Sequence, residues 1–280
     1  MNKNFSKTVL DYTKNKFNTN IEIPTNIHDE PFIEAFEDII DYSKNVGITK
    51  ALNEKFPHGD EDIIFKNEAD ISLEIYNSIA GNIPIFYAKN PEDFATLVNK
   101  LIYKGKGEQQ LESVGASFAH GKNIRFIILS NKPYSNIPAE SISLSDDLWK
   151  KYSMIIRREH ECTHYFTKRF LGSSHNNIHD ELIADFAGIV SATNGVYHPD
   201  WFLKGMGIDK FPKTQPEGRF PVYTKELISQ DDLDAVKEIT INAAYNVKNW
   251  SDQENVKKLP LTEKILFLCK NSLLDLCDMN

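Results

Sequence analysis

Five consecutive residues, His160-Glu161-Cys162-Thr163-His164, spell an HExxH pattern. On a helix the two histidines, four apart, share one face a single turn from each other. Imidazoles so placed can bind one zinc ion, and Glu161 beside them can reach a water bound there. Cys162, two residues past His160, then points away and packs. Catalytic zinc takes three protein ligands and keeps one position for water, so a third ligand has to come from elsewhere. Seventeen residues after His164, the stretch Asp180-Glu181-Leu182-Ile183-Ala184-Asp185 offers Glu181. Residues 171–178 are long enough to reverse the chain and lay a second helix against the first. Asp185, one turn beyond Glu181, can then accept a hydrogen bond from the far nitrogen of a ligand histidine, which fixes its tautomer and raises its basicity.

Together His160, Glu161, His164, Glu181 and Asp185 resemble the zincin metallopeptidases, in particular the gluzincin pattern of HExxH followed by ExxxD. The resemblance covers about 30 residues directly. It implies an α+β, zincin-like fold: a small mixed sheet followed by an active-site helix, a glutamate helix and a helical C-terminal part. It also implies a zinc ion on His160, His164 and Glu181, Glu161 as general base, Asp185 orienting a histidine, and a peptide or protein substrate. In that family the developing oxyanion is met by a Tyr, His or Arg from beyond the glutamate helix. Tyr197, His198, Arg219 and Tyr223 are candidates here, with Arg219 and Tyr223 preferred because they sit together before a helix.

Other chemistries can be drawn from the same residues. His175 and His179 are rival third ligands. His179-Asp180 is also a literal His-Asp pair, as in metal-dependent phosphohydrolases of the HD type, with Asp231 or Asp232 downstream. Glu161-x-x-His164 is one half of a di-iron carboxylate site, but the second ExxH that such a bundle needs is missing from the sequence. A non-catalytic protein that keeps zinc for structure or partner binding is a further reading.

The elements that must position these residues can be read from periodicity. Ser145 is a good N-cap, with Asp146 and Asp147 in the first turn, so a helix is expected from Ser145 to about Phe170, stopped at Gly172. A second is expected from Asp180 to Thr193, ending near Gly195. Upstream, Ile71–Tyr76, Ile83–Ala88, Val114–Ala119 and Ile124–Leu129 read as strands. His120-Gly121-Lys122-Asn123 would be a hairpin turn, and a helix opening at Asn90-Pro91 would run to Ile102 and cover the sheet. Either of the last two strands could hold an extended peptide by edge pairing. Pro31–Asn45 and Ile48–Phe56 read as helices. Residues 196–220, rich in Pro and Gly, read as a long loop, and Thr224–Cys277 as two or three helices. The division expected is an N-terminal helical region at 1–68, a catalytic core at 69–195, and a loop and helical C-terminal region at 196–280.

Composition bounds the partners. The 280 residues are 41% hydrophobic and 26% charged, with 17 Phe, 11 Tyr and 3 Trp, enough apolar mass for a folded core. A net charge of −8 argues against a phosphate-backbone partner. The three cysteines, Cys162, Cys269 and Cys277, are too few for a disulfide scaffold and are expected as reduced thiols. Neither a secretory signal nor a membrane span is visible, so no membrane partner and a cytosolic location are expected.

Overall fold

The computed structural model describes residues 5–24, 26–59, 61–106, 111, 114–172, 177–208 and 218–279. The architecture is α+β, with a small mixed sheet. Helices α1 (Lys7–Thr13), α2 (Phe32–Val46) and α3 (Ile48–Lys55) come first. Strands β1 (Ile71–Ser78) and β2 (Gly81–Ala88), helix α4 (Pro91–Leu97), and strands β3 (Ala116–His120) and β4 (Arg125–Ser130) follow. The long helices α5 (Asp146–Phe170) and α6 (Ile178–Ala192) come next. The chain closes with α7 (Pro199–Met206), α8 (Phe220–Tyr223), α9 (Gln230–Ser251), α10 (Glu254–Lys257), α11 (Leu261–Lys270) and α12 (Leu273–Asp278).

The sheet order is β1-β2-β4-β3. β1 with β2 and β3 with β4 are antiparallel, and β2 with β4 is parallel. The parallel pair needs a crossover connection, and α4 lies within it. β3 is left as a free edge. Residues β2 and β4 bury on both faces, such as Ile85, Phe86, Ile127 and Ile128, read as continuous apolar runs rather than as an alternation.

Ser145 caps α5 as expected, its side chain accepting from the Leu148 amide. At the start of α6 the Asn177 side chain accepts from the Asp180 amide, and the Ile178 amide donates to the Tyr12 hydroxyl of α1. The two long helices lie close together because Gly188 has no side chain. A Cβ there would stand 2.5 Å from the carbonyl oxygen of Ile156.

Three expectations are corrected. Residues 196–220 are not simply a loop, because α7 lies within them. Pro199 in its first turn and Gly207 just past its end are helix punctuation rather than loop signals. Its Trp201, Phe202, Leu203 and Met206 are buried. The helix opening at Asn90 does not run unbroken to Ile102; after Leu97 it widens into a π turn at Val98–Ile102. Among the described residues the C-terminal part holds four helices rather than two or three, because Gln253, Pro260 and Ser272 each open a new one.

One apolar core runs from Val9 through the sheet to Leu276, crossing all three expected regions. No helix among the described residues is long and apolar enough to cross a membrane. Cys162 and Cys269 are buried, free thiols.

Candidate metal centre

The packing of α6 on α5 gathers His160, His164 and Glu181 into one buried cluster, whose ligand atoms lie within 4.8 Å of one another. The Nε2 atoms of His160 and His164 face each other at 3.0 Å. Glu181 Oε1 is 3.4 Å from His164 Nε2, and Oε2 is 3.7 Å from His160 Nε2. Corners of a tetrahedral zinc site with ordinary bond lengths stand about 3.3 Å apart. The three separations bracket that value.

Behind each imidazole stands a carboxylate. Asp185 Oδ1 is 2.6 Å from His160 Nδ1, and Asp180 Oδ2 is 3.2 Å from His164 Nδ1. A carboxylate at Nδ1 favours the tautomer in which Nε2 is the ligating atom. The two Nε2 atoms, 3.0 Å apart, are close enough to share one cation, or one proton where no metal is bound. The donor set, two imidazoles and a carboxylate, is one that zinc prefers.

Burial would lower the His164 imidazole, but Asp180 and Glu181 hold it well above the ordinary histidine value. Burial would raise Glu181, yet His160, His164 and Arg219 hold it below the usual carboxylate range. Asp185 is likewise held low against its burial, by Arg219, His160 and Tyr134. The carboxylates are thus kept ionised by the groups they touch.

The cluster opens onto a cleft of about 320 Å³ whose lining includes His160, Glu161, Arg157, Tyr134, Arg219 and Tyr223. Glu161 has no hydrogen-bond partner among the described residues. Arg219 does not present a free guanidinium to the cleft. It donates to Glu181 Oε2 at 2.8 Å, to Asp185 Oδ2 at 2.6 Å and to the Tyr134 hydroxyl at 3.0 Å. It therefore braces Glu181 and the carboxylate behind His160. The Tyr223 hydroxyl is pushed well up by burial and by the nearby Glu181 carboxylate.

The other candidates lie apart. Tyr197 is buried against Phe186, ring centroids 5.1 Å apart. His198 stacks on Trp201 at 4.6 Å. His179 turns its Nε2 toward the Leu268 carbonyl, 3.1 Å away, so the His179-Asp180 pair is split between two neighbourhoods. Cys162 is fully buried, and that burial pushes its thiol well up. His175 lies outside the described residues.

Tyr134 and Arg157 join the site without having been singled out, and Asp180 joins it in a role other than that of a His-Asp pair. Tyr134 follows β4, and its hydroxyl donates to Asp185 and lies 3.5 Å from His160 Nδ1. It is held by a tight turn in which Ser135 and Asn136 take φ of 49° and 55°, a region few non-glycine residues adopt. No local pattern marks such a residue. Asp180 carried a signal, since a site with two histidines has use for two orienting carboxylates, one on each.

A family model described as "Family of unknown function (DUF7005)" matches residues 55–124 and 122–280. Comparison with curated proteins and with solved structures finds no match.

Proposed function

The chain belongs to the DUF7005 family, whose function is unknown, and on that premise we propose that it is a zincin-like, zinc-dependent hydrolase acting on peptide bonds. One observation carries the reading. Two imidazoles turn their Nε2 atoms toward one point at 3.0 Å, with a carboxylate behind each and Glu181 closing the same point. Two imidazole nitrogens and a carboxylate converging in this way are the donor set that a divalent zinc ion takes.

His160, His164 and Glu181 would hold the ion. Bound there, zinc supplies Lewis acidity, polarising a carbonyl and lowering the pKa of a water toward about 7. Asp185 and Asp180 hold the imidazoles in the tautomer that ligates. Glu161, on the next residue of the helix and lining the cleft, accepts the proton of the attacking water and delivers it to the departing amine. The water oxygen bonds to the carbonyl carbon as the C=O electron pair moves onto oxygen; the return of that pair breaks the C–N bond as the amine nitrogen takes the proton. The Tyr223 hydroxyl, which also lines the cleft, is the donor offered to the developing oxyanion. Arg219 acts through Glu181 and Asp185 as a positioning residue. The free edge of β3 begins at the cleft with Ala116 and offers main-chain groups to an extended peptide.

The test is metal analysis of the purified protein paired with a peptidase screen, with and without chelator. Close to one equivalent of zinc is expected. His160→Ala or His164→Ala should release it, and Glu181→Ala should weaken it far more than His179→Ala. Two tightly held metals per chain, or retention in the histidine variants, would overturn the assignment.

A further inference from the structure

The cleft beside Glu161 holds a deeply buried charge that the proposed reaction does not use. Arg157 lies four residues before Glu161 on α5, so the two share a helix face. Both line the cleft with His160 and Tyr134. Arg157 is 4% exposed, and burial lowers its pKa to about 10.

A guanidinium in such a place ordinarily meets a carboxylate. Arg125 meets Glu30 at 2.6 Å and Arg158 meets Glu159 at 2.9 Å. Arg219 meets both Glu181 and Asp185. Arg157 does not. Its partners among the described residues are two main-chain oxygens, Ser130 at 3.2 Å and Pro133 at 2.7 Å. A guanidinium carries five N–H donors, so most of this one's donors have no protein acceptor. Glu161 attracts it through space without contact.

Gly115 is shaped to leave this group room. A Cβ there would stand 2.5 Å from Arg157 Nε and 2.8 Å from Nη2, and Gly115 itself lines the cleft. The chain as a whole carries a net charge of −8, which repels anions. Of the cations lining the cleft, Arg219 is engaged by Glu181 and Asp185 and Lys204 turns to the Ser141 carbonyl, so Arg157 is then the feature that admits an anion.

We propose that Arg157 is the anchor for a carboxylate of the substrate, so that the cleft takes acidic peptides. The carboxylate comes from an acidic side chain or from a free chain terminus close to the scissile bond. The substrate class rests on the hydrolase reading; the anion site itself requires no metal. A planar carboxylate matches the guanidinium fork, and its charge-assisted hydrogen bonds supply the compensation that the protein withholds.

The test uses two probe pairs titrated by NMR onto the protein as purified, zinc-loaded and treated with chelator. One pair is N-acetyl-leucine and N-acetyl-leucinamide; the other is N-acetyl-glutamic acid α-amide and N-acetyl-glutamine α-amide. At least one carboxylate should bind about tenfold or more tighter than its neutral partner, and the pair that responds identifies the source of the anion. Arg157→Gln should erase that preference. Gly115→Ala keeps every hydrogen-bonding group but presses a methyl on Nε, and it should reduce the preference even where Arg157→Gln does not fold. The absence of any preference in the unmodified protein, or an unchanged preference in either folded variant, overturns the proposal. So does a preference that chelator abolishes and Arg157→Gln leaves intact, because the carboxylate then sits on the metal. A preference that depends on Arg157, in a protein that as purified neither holds zinc nor cleaves peptides when zinc is supplied, would sink the hydrolase reading and uphold the anion site. Zinc-dependent cleavage without the preference would do the reverse.

Discussion

Two buried clusters in this protein are built on opposite principles. Under the sheet, Phe36, Phe56, Phe86 and Phe126 pack ring on ring with centroids 5.5 to 6.1 Å apart. Their attraction is nearly non-directional and scales with area, so each ring is replaceable by another apolar group of similar volume. Between α5 and α6, His160, His164, Asp180, Glu181 and Asp185 are buried just as deeply. There particular atoms face particular neighbours, His160 Nδ1 on Asp185 and Glu181 Oε2 on Arg219, and burial works against Glu181 and Asp185. Arg219 and the histidines reverse that cost. The first cluster supplies stability; the second consumes some of it to hold charges in one geometry. A stability measurement reads the first, and a metal or activity measurement reads the second.

The widest separation between those readouts is expected at Glu161. Glu161→Gln keeps size and polarity but cannot take a proton at neutral pH. Hydrolysis should fall by about 10²–10⁴-fold while zinc content and melting temperature stay near those of the parent. Full activity in this variant, or loss of its metal, would break the division at its centre. Phe126→Ala is the mirror experiment. Phe126 touches Phe36, Phe56 and Phe86, and removing the ring should cost about 3–5 kcal/mol in denaturant unfolding. The folded fraction should still bind one zinc with the parent's affinity. A proportional loss of metal affinity would show that the two clusters are mechanically one.

These clusters were also unequally legible. HExxH and ExxxD are local, so a 3.6-residue period places His160, His164, Glu181 and Asp185 on facing sides of two helices, and the caps at Ser145 and Asn177 mark where those helices begin. The strands were visible because β-branched and aromatic residues concentrate there. Tyr134 and Arg157 were not visible as site residues. Tyr134 is delivered from the far end of β4 by a tight turn. Arg157 reads as one more charge in a charged helix until its missing carboxylate is seen in three dimensions. Arg219 was singled out and lines the cleft, but sequence order cannot tell that its guanidinium also grips Glu181 and Asp185. α7 was hidden by the habit of reading Pro and Gly as loop, when Pro199 and Gly207 bound a buried helix.

A smaller effect is expected one step back from the ligands. Asp185→Asn removes the charge behind His160 and one of the two carboxylates that Arg219 grips. Zinc affinity, read by chelator competition, should fall by about 10–100-fold. Asp180→Asn should act in the same direction through His164, and less strongly, since that contact is 3.2 Å against 2.6 Å. If Asp180→Asn were the more damaging, Asp180 would be doing more than orienting His164.

The smallest effect in the series is expected at Tyr134, and the reason lies in what its loss would leave behind. The hydroxyl donates to Asp185 and accepts from Arg219 at 3.0 Å. In Tyr134→Phe, Asp185 Oδ1 still faces His160 Nδ1 and Oδ2 still receives Arg219. No buried charge is orphaned, so the full penalty of an unpaired group does not arise. The expected cost is about 1 kcal/mol in unfolding, the net worth of an ordinary hydrogen bond, with a shift in zinc affinity of under about tenfold, the figure for that energy doubled. Thermal melting with and without chelator, together with chelator competition, measures both. A loss of hydrolysis in Tyr134→Phe as deep as that in Glu161→Gln, with zinc retained, would show that Tyr134 meets the substrate itself. The boundary between the groups that hold the metal and the groups that do the chemistry would then have to be redrawn to include it.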